Sequence, residues 1–140
     1  MLIYHFCCEK NLRGIKTDGL TKGAIPVVDV INGNMCWGFI NGWQWLTFDG
    51  RHGEQAWATD ELIKIDRTES RLTIQIVGKE VESLYDRDQL LELLPKVDQM
   101  LFDEWEGSKS WRVFRGTIPK YWIQKIEHWE NGEWKPMPWR

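Results

Sequence analysis

The chain has 140 residues and a formal net charge of −3, so it is long enough for one domain with a hydrophobic core. Its charges are interspersed, which argues against a general nucleic-acid-binding surface but leaves room for a local basic strip. No run of about 18 apolar residues and no secretory signal is recognisable, so we expect no membrane contact. The three cysteines, an odd number, favour reduced thiols and a cytoplasmic location.

The first predicted elements are a strand and a short helix. Leu2–Cys7 has the composition of a strand, and Leu12 and Ile15, three residues apart, mark one face of a helix. Gly19 is the expected end of that helix, because a residue with positive φ commonly stands there. His5 is therefore expected near the end of a strand and just before a helix, which is a common place for a ligand site.

The middle of the chain is predicted to consist of strands, turns and one helical region. Three Asn-Gly pairs, at residues 32–33, 41–42 and 131–132, predict tight turns. The helical pattern runs over Asp86–Phe102, and Pro95 should divide it into two short helices or kink it. The predicted strands are Ala24–Ile31, Trp43–Phe48 and Arg71–Val77, and residues 54–58 are predicted as a helical turn after a loop at 49–53.

A further strand and a hairpin are predicted at the end of the chain. After a polar loop over residues 103–110, Trp111–Arg115 alternates as a strand does. Tyr121–Glu130 and Glu133–Trp139 form the hairpin, and its two-residue turn places Trp129 opposite Trp134 in a pair without backbone hydrogen bonds. Strands and helices alternate without a regular βαβ rhythm. The sequence therefore predicts a single α+β domain, residues 1–140, with mostly antiparallel strands.

Ten tryptophans are several times the usual number for this length. Four of them stand among apolar neighbours and are predicted core residues: Trp57, Trp105, Trp111 and Trp122. Three others, Trp37, Trp43 and Trp45, cluster around Asn41-Gly42. This cluster either stacks on a base, a nicotinamide or a sugar, or simply holds a small sheet together.

Three blocks of the sequence resemble ADP-ribosyltransferase-like domains, including the tRNA 2'-phosphotransferase and DNA-modifying branches. In these families a strand with His-x-Thr or His-x-Ser leads into Asn-Leu-x-x-Ile-x-x-x-Gly-Leu, and here His5 is followed by the helix pattern at residues 11–20, with Cys7 in place of Thr. Trp45-Leu46-Thr47 resembles the second-strand motif, and residues 111–123 resemble the closing segment of small bacterial and phage members. The resemblance implies a split two-sheet fold.

The resemblance also implies NAD as a substrate. Cleavage of nicotinamide from NAD passes through an oxocarbenium-like ribosyl cation, so the site must hold the nicotinamide amide and the ribose and supply a carboxylate. By resemblance, His5, Trp45 and Thr47 would line an NAD cleft between the two sheets. Glu104 and Glu106 have the Glu-x-Glu spacing of a catalytic carboxylate pair, although they stand several residues further from the next strand than the family pattern requires.

Arginines would replace the carboxylate in the phosphotransferase branch, where they grip a phosphate. Arg112 and Arg115, with Arg13, are the candidates here. Because Arg112 and Arg115 are an odd number of residues apart on one strand, at most one of them can enter a given pocket. His5, Cys7 and Cys8 lack the additional ligand pair of a zinc site, so no metal is expected.

Two other functions remain open from the sequence. Cys7 in the His-x-Thr position and the displaced Glu-x-Glu favour a non-catalytic binding or inhibitor module, whose tryptophans would grip a protein or a nucleic acid. A structural phage or mobile-element protein is the third possibility. The sequence identifies neither the macromolecular acceptor, whether protein or nucleic acid, nor the oligomeric state.

Overall fold

The computed structural model describes residues 1–52, 59–60, 65–66, 68–94 and 108–138. Within these residues there are eleven strands and two α-helices. The strands are β1 (Leu2–Cys7), β2 (Ala24–Ile31), β3 (Asn34–Asn41), β4 (Trp43–Thr47), β5 (Thr59–Asp60), β6 (Ile65–Asp66), β7 (Ser70–Gln75), β8 (Leu84–Tyr85), β9 (Trp111–Arg115), β10 (Ile123–Glu130) and β11 (Glu133–Met137). The helices are α1 (Leu12–Asp18) and α2 (Arg87–Leu93).

Seven strands form one sheet, in the order β11-β10-β7-β1-β4-β9-β8, while β2 with β3 and β5 with β6 form two-stranded ribbons. Every pairing is antiparallel. The predicted class, α+β with mostly antiparallel strands, is therefore confirmed. The resemblance implies two sheets, whereas the described strands form one large sheet and two small ribbons. None of the described helices is long and apolar enough to cross a membrane.

The register of β1 with β4 decides which side chains share a face of the large sheet. Tyr4 lies opposite Thr47, and paired residues on neighbouring strands point to the same face. Successive residues alternate, so Tyr4 and Thr47 face one side and His5 faces the other. The sheet separates two clusters of buried side chains. The α1-side core includes Ile3, Leu12, Ile15, Leu46, Leu72, Ile74 and Phe114, and the ribbon-side core includes Ile25, Trp43, Leu90, Trp111 and Val113.

Helix α1 lies on the sheet because its apolar face is buried. Leu12 and Ile15 are both buried in the α1-side core. The helix ends at Gly19, which has φ of 80°, as the sequence predicts. After it, Leu20 and Ile118 exchange two backbone hydrogen bonds of 2.9 and 3.0 Å. The segment that follows α1 is therefore tied to the segment after β9.

Helix α2 begins with a capping box. The Asp86 side chain accepts a hydrogen bond from the backbone N–H of Gln89, whose side chain in turn accepts one from the Asp86 N–H. Leu90 is fully buried, and Leu91 and Leu94 pack against the same ribbon-side core, as the leucine pattern predicts. Residues from Pro95 to 107 lie outside the described part of the chain, so the predicted second helix or kink and most of the predicted polar loop stay predictions.

The predicted strand bounds agree with the structure for β1, β2 and β9, and differ elsewhere by a few residues. β4 ends at Thr47, β7 begins at Ser70, and β10 begins at Ile123 after a 3₁₀ turn. The strand Asn34–Asn41 is absent from the sequence-based prediction. Asn41-Gly42 is a bend between strands that do not pair, whereas the other two Asn-Gly pairs close hairpins, with positive φ at both residues. The predicted helical turn at 54–58 lies outside the described residues.

The closing hairpin has the predicted register, with Trp129 opposite Trp134. The Trp129 N–H donates to the Glu69 carbonyl on the other side of the strand, at 2.8 Å. The Trp129 and Trp134 rings meet edge to face with centroids 5.2 Å apart, and the His52 ring stacks on Trp129 at 4.2 Å. The aromatic pair thus holds the hairpin to the loop after β4.

Replacing Trp129 with alanine should destabilise the hairpin. We expect Trp129→Ala to lower the free energy of unfolding by about 1–3 kcal/mol, because the mutation removes both ring contacts of a half-buried tryptophan. Urea unfolding measures the loss. The control is Tyr121→Ala at a side chain that is 69% exposed, which should change stability by less than about 0.5 kcal/mol. Equal losses in the two variants would contradict a structural role for the pair.

Candidate functional site

A cavity of about 660 Å³ lies between the α1 side of the sheet and the segment 10–23. His5 and Cys7 of β1 and Gln44 of β4 line it from the sheet, and Trp45 also contributes. The opposite wall comes from the helical turn and helix, at residues 10, 11, 13–15, 17 and 18, and from the segment after the helix. Ile15 in this wall also belongs to the buried face of α1, whereas Lys10, Arg13 and Thr17 are exposed and lie on one side of the helical segment.

The His5 ring is held by the backbone of the neighbouring strand. Its Nδ1 lies 2.7 Å from the Trp45 carbonyl oxygen. A carbonyl only accepts hydrogen bonds, so Nδ1 carries a proton and donates it. Burial lowers the pKa of His5, and the hydrogen bond to Trp45 offsets this only in part. The imidazole is therefore neutral at pH 7, and its Nε2, which has no hydrogen-bond partner among the described residues, is an acceptor.

Two glycines allow the segment after α1 to close the cavity. A Cβ on Gly19 would collide with the Ile118 carbonyl, and one on Gly23 would collide with the Trp43 carbonyl. The Gly23 N–H donates to Oε1 of Gln44 at 3.0 Å, which fixes the amide of a side chain that is only 2% exposed. Nε2 of Gln44 is buried and makes no hydrogen bond to any residue that the structure describes.

The rim of the cavity is positively charged in a chain that is acidic overall. Lys10, Arg13 and Lys22 line the rim and are exposed, and Asp18 is the one carboxylate among the lining residues that the structure describes. The chain as a whole carries a net charge of −3. A local excess of cations of this kind attracts an anionic ligand and orients it at the mouth of the cavity.

Cys7 lines the cavity as an un-ionised thiol. Burial raises the pKa of Cys7 to about 12, and the charges of Cys8 and Glu69 add to the effect. A thiol with this pKa is protonated at neutral pH and is a poor nucleophile. At the position where the resembling families have Thr or Ser, the chain therefore offers a small apolar group.

The prediction that His5 and Thr47 share a cavity is wrong. The register places Thr47 with Tyr4 on the ribbon side of the sheet, and the cavity lies on the other side. Thr47 is 2% exposed, and its Oγ1 accepts a hydrogen bond from the Asp49 N–H at 3.0 Å. Its role is to shape the end of β4.

The Trp45 indole also lies on the ribbon side. Its Nε1 donates to the Ala24 carbonyl at 2.9 Å, and its ring meets Trp111 edge to face at 5.9 Å. Trp45 serves the cavity through its carbonyl, which binds His5. Of the two interpretations of the tryptophan cluster, the packing of Trp43 and Trp45 supports the one in which they hold the sheet together. The six tryptophans whose side chains are described, at 43, 45, 111, 122, 129 and 134, are all buried or half-buried.

Arg112 and Arg115 face opposite sides of the sheet, as their odd spacing predicts. Arg112 pairs with Leu46 on the α1 side, and Arg115 pairs with Trp43 on the ribbon side. The Arg112 guanidinium donates to the carbonyls of Lys109 and Trp111 and lies over the Phe48 ring, while that of Arg115 lies 5.6 Å from the Trp43 ring. Neither side chain lines the cavity.

The remaining predicted site residues cannot be placed relative to the cavity. Glu104 and Glu106 lie outside the described residues, so their catalytic role stays a prediction. In the described part of the chain, no group of three or more His, Cys, Asp and Glu side chains is arranged to hold a metal ion.

The sequence analysis did not predict that Gln44 lines the cavity. Of the cations at the rim it named only Arg13, and not Lys10 or Lys22. The signal for Gln44 was a polar residue between two tryptophans of a strand, at a position that alternation turns towards the α1 side. The signal for two of the rim cations was the spacing of Lys10 and Arg13, three residues apart across the 3₁₀ turn and the start of α1, which brings them to one side of the helical segment.

The lowered pKa of His5 predicts a loss of stability in mild acid. The unfolded histidine takes up a proton as pH falls below about 6.5, whereas the folded one does so only at lower pH, so the free energy of unfolding should fall across this interval. Urea unfolding at pH 7.5 and pH 5.0 measures the loss. His5→Asn retains an amide donor for the Trp45 carbonyl but does not titrate, so its loss should be smaller. Equal losses in both proteins would contradict the assignment.

The three cysteines should differ in reactivity. Cys36 is exposed, whereas Cys7 and Cys8 are buried. Titration of the native protein with DTNB at pH 8 should modify one thiol rapidly, and unfolding in guanidinium should release the other two. Cys36→Ser should remove the rapid phase. A second rapid thiol in the native protein would contradict the burial of Cys7 and Cys8, and its loss in Cys7→Ser would assign it to Cys7.

Comparison with known proteins assigns no family. The chain matches no protein-family model, and neither a curated protein nor a solved structure matches it.

Proposed function

We propose that this chain is an ADP-ribosyltransferase-like domain that binds NAD in the cavity beside His5. One observation carries the proposal: a neutral imidazole, whose acceptor nitrogen has no partner among the described residues, lines a cavity whose rim is cationic. The motif resemblance and the α+β, mostly antiparallel class agree with it. The finer assignment to the ADP-ribosyltransferase fold is part of the proposal.

The size and charge of the cavity suit a dinucleotide. Its volume of about 660 Å³ lies within the range of ligand pockets, which is about 300–1,000 Å³. The pyrophosphate of NAD is an anion, and Arg13 can contact it in bidentate fashion while Lys10 and Lys22 contribute as point charges. Arg13 thus takes the anion-binding role that the sequence assigned jointly to it, Arg112 and Arg115.

His5 would recognise a hydroxyl group of the ligand. Because Nδ1 is committed to the Trp45 carbonyl, Nε2 accepts a hydrogen bond from a ribose hydroxyl, and the ring cannot rotate without losing its own hydrogen bond. The hydroxyl that the resembling families supply from the second strand has no counterpart at Thr47. Glu104 or Glu106 remains the proposed catalytic carboxylate, stabilising the ribosyl cation, and the acceptor is a protein, a nucleic acid or water.

A non-catalytic binding module is the second candidate, and one observation favours it. Cys7 brings a buried, protonated thiol where the resembling families have a hydroxyl. A chain that has lost the catalytic constellation would still bind a nucleotide in the cavity but would not release nicotinamide.

NAD titration tests the proposal. We expect NAD at about 1 mM to raise the melting temperature, and calorimetry to show about tenfold weaker binding for His5→Ala and for Arg13→Gln, each of which removes one polar contact. Arg115→Gln is the matched control, since it removes the same charge from the other face of the sheet and should leave NAD affinity unchanged.

The outcomes separate the candidates. Nicotinamide release that is abolished by Glu104→Gln or by Glu106→Gln would support the transferase. Binding without nicotinamide release would support the binding module. The absence of any NAD-induced shift, or equal effects of Arg13→Gln and Arg115→Gln, would contradict the assignment of the cavity.

A further inference from the structure

The ribbon of β2 and β3 differs from the rest of the chain in charge and exposure. Residues 24–41 contain a single charged residue, Asp29, although the chain has 39 Asp, Glu, Lys and Arg residues among 140. One face of the ribbon packs through Ile25 on the ribbon-side core. The opposite face carries Met35, which is 61% exposed, and Phe39, which is 73% exposed. An apolar surface of this kind on a folded chain marks an interaction site.

The backbone register of the ribbon shows which groups of β3 are unpaired. Asn32 and Gly33 have φ of 52° and 80° and form a two-residue turn, so Ile31 and Asn34 form the closing hydrogen-bonded pair. Hydrogen-bonded and non-hydrogen-bonded pairs alternate from there, and Met35, Trp37 and Phe39 are in non-hydrogen-bonded pairs. Their N–H and C=O groups therefore point away from β2. In the described part of the chain β3 pairs with no other strand.

The two edges of the ribbon are not equivalent. On β2, Pro26 stands in a non-hydrogen-bonded pair and lacks an outward N–H, and the Ala24 carbonyl accepts a hydrogen bond from the Trp45 indole. Proline, lysine and other charged residues are the usual means of blocking pairing at a sheet edge, and β3 contains none of them. The open edge is that of β3.

We propose that this edge pairs antiparallel with β3 of a second copy of the chain, so that two ribbons form a four-stranded sheet. The order of side-chain sizes in β3 is the same in both directions from Trp37, so the strand can pair antiparallel with itself. From Met35 to Phe39 the order is large, small, large, small, large. A twofold axis at Trp37 places Met35 opposite Phe39 of the partner copy, and Cys36 opposite Gly38 of the partner copy. The residues whose backbone groups point away from β2, namely Met35, Trp37 and Phe39, then form three pairs with the partner copy. Each of these pairs exchanges two backbone hydrogen bonds.

Charge and size determine the strength of this contact. The strand carries no charge, so two copies meet without repulsion, whereas the rest of the acidic chain would repel its copy. A contact confined to two eight-residue strands falls well short of the roughly 1,600 Å² of a standard interface. The dimer is therefore weak and concentration-dependent, and it leaves the His5 cavity on the opposite side of the large sheet.

Sedimentation of the full chain tests the association. We expect the mass to rise from monomer towards dimer as the concentration increases from about 1 to about 500 µM. The range extends to high concentration because a contact of this small area should dimerise only weakly. Met35→Lys should lower the association constant at least about tenfold, because a lysine on a strand edge opposes pairing. Ile31→Lys is the matched control: it adds the same charge at an exposed position on β2 and should leave association unchanged. A monomer mass throughout, or equal loss in both variants, would overturn the proposal.

Disulfide trapping tests the register even if the dimer is too weak to sediment. In the proposed pairing, Cys36 and Gly38 of the partner copy form a non-hydrogen-bonded pair with Cα atoms about 4.5 Å apart, within the range of a disulfide. A Cβ on Gly38 meets only Val27 at 3.6 Å and has room. Gly38→Cys should therefore give a covalent dimer rapidly when oxidised with diamide.

Asn34→Cys is the control for the trapping experiment, because residue 34 is as far from Cys36 along β3 as residue 38 but lies opposite Ile40 of the partner copy. We expect it, like the unmodified chain, to cross-link at least about tenfold more slowly than Gly38→Cys, since its thiol lies beyond disulfide range of Cys36 in the partner. Equal rates for the two variants would overturn the register, and cross-linking of the unmodified chain through Cys36 alone at the same rate would do so as well.

Discussion

The antiparallel pairing of Tyr4 with Thr47 determines which side chains of this protein can meet. Because side chains alternate along a strand, that one register assigns His5, Cys7, Gln44 and Arg112 to one face of the large sheet. A shift of one residue would exchange the two faces. Both apolar cores oppose such a shift, since it would bring the tryptophans of β4 under α1 and expel Leu46 from the α1-side core.

The same register places the half-buried His5 at the border of the α1-side core. Its neighbours on the α1 side of β1 are Ile3 and Cys7, both buried, and the sheet provides a single polar partner, the Trp45 carbonyl. A neutral imidazole is stable in such surroundings because its single N–H group has an acceptor in the Trp45 carbonyl. A charged imidazolium would be less stable there, because it has two N–H groups and its charge would be partly buried. The helix and the glycine-containing segment leave space over this ring, and the cations stand at its exposed rim. Geometry, protonation state and local charge are therefore those that the proposed ligand, with its hydroxyl groups and negative charge, requires.

The parts of the fold that were predicted from the sequence are those governed by local patterns. Alternation over Trp111–Arg115, the Leu12 and Ile15 spacing, and the start of a helical pattern at Asp86 are each set within a few residues. β3 was not predicted because its residues are apolar on both faces and include Gly38, so no period of two is visible.

The site was harder to predict, because proximity across a sheet depends on pairing between distant segments. The opposite orientations of Arg112 and Arg115 follow from counting along one strand and were predicted correctly. Whether His5 and Thr47 face the same side of the sheet depends on the register between β1 and β4. No pattern within either strand specifies that register, so this prediction failed. His5 was predicted as a site residue and lines the cavity, and Arg13 was considered for a phosphate, but the position of Gln44 beside the cavity depends on where Gly23 crosses β4.

The position of β1 in the middle of the sheet has a consequence for how the protein acquires its structure. Tyr4 pairs on one side with Thr47 and on the other with Thr73, so β1, the first of the described strands along the chain, has its partners 43 and 69 residues later. Loops of this length must close before the central ladder forms, and such non-local pairing slows folding. Nascent chains that end before β7 would leave one edge of β1 unpaired, and unpaired strand edges make such incomplete chains prone to aggregation.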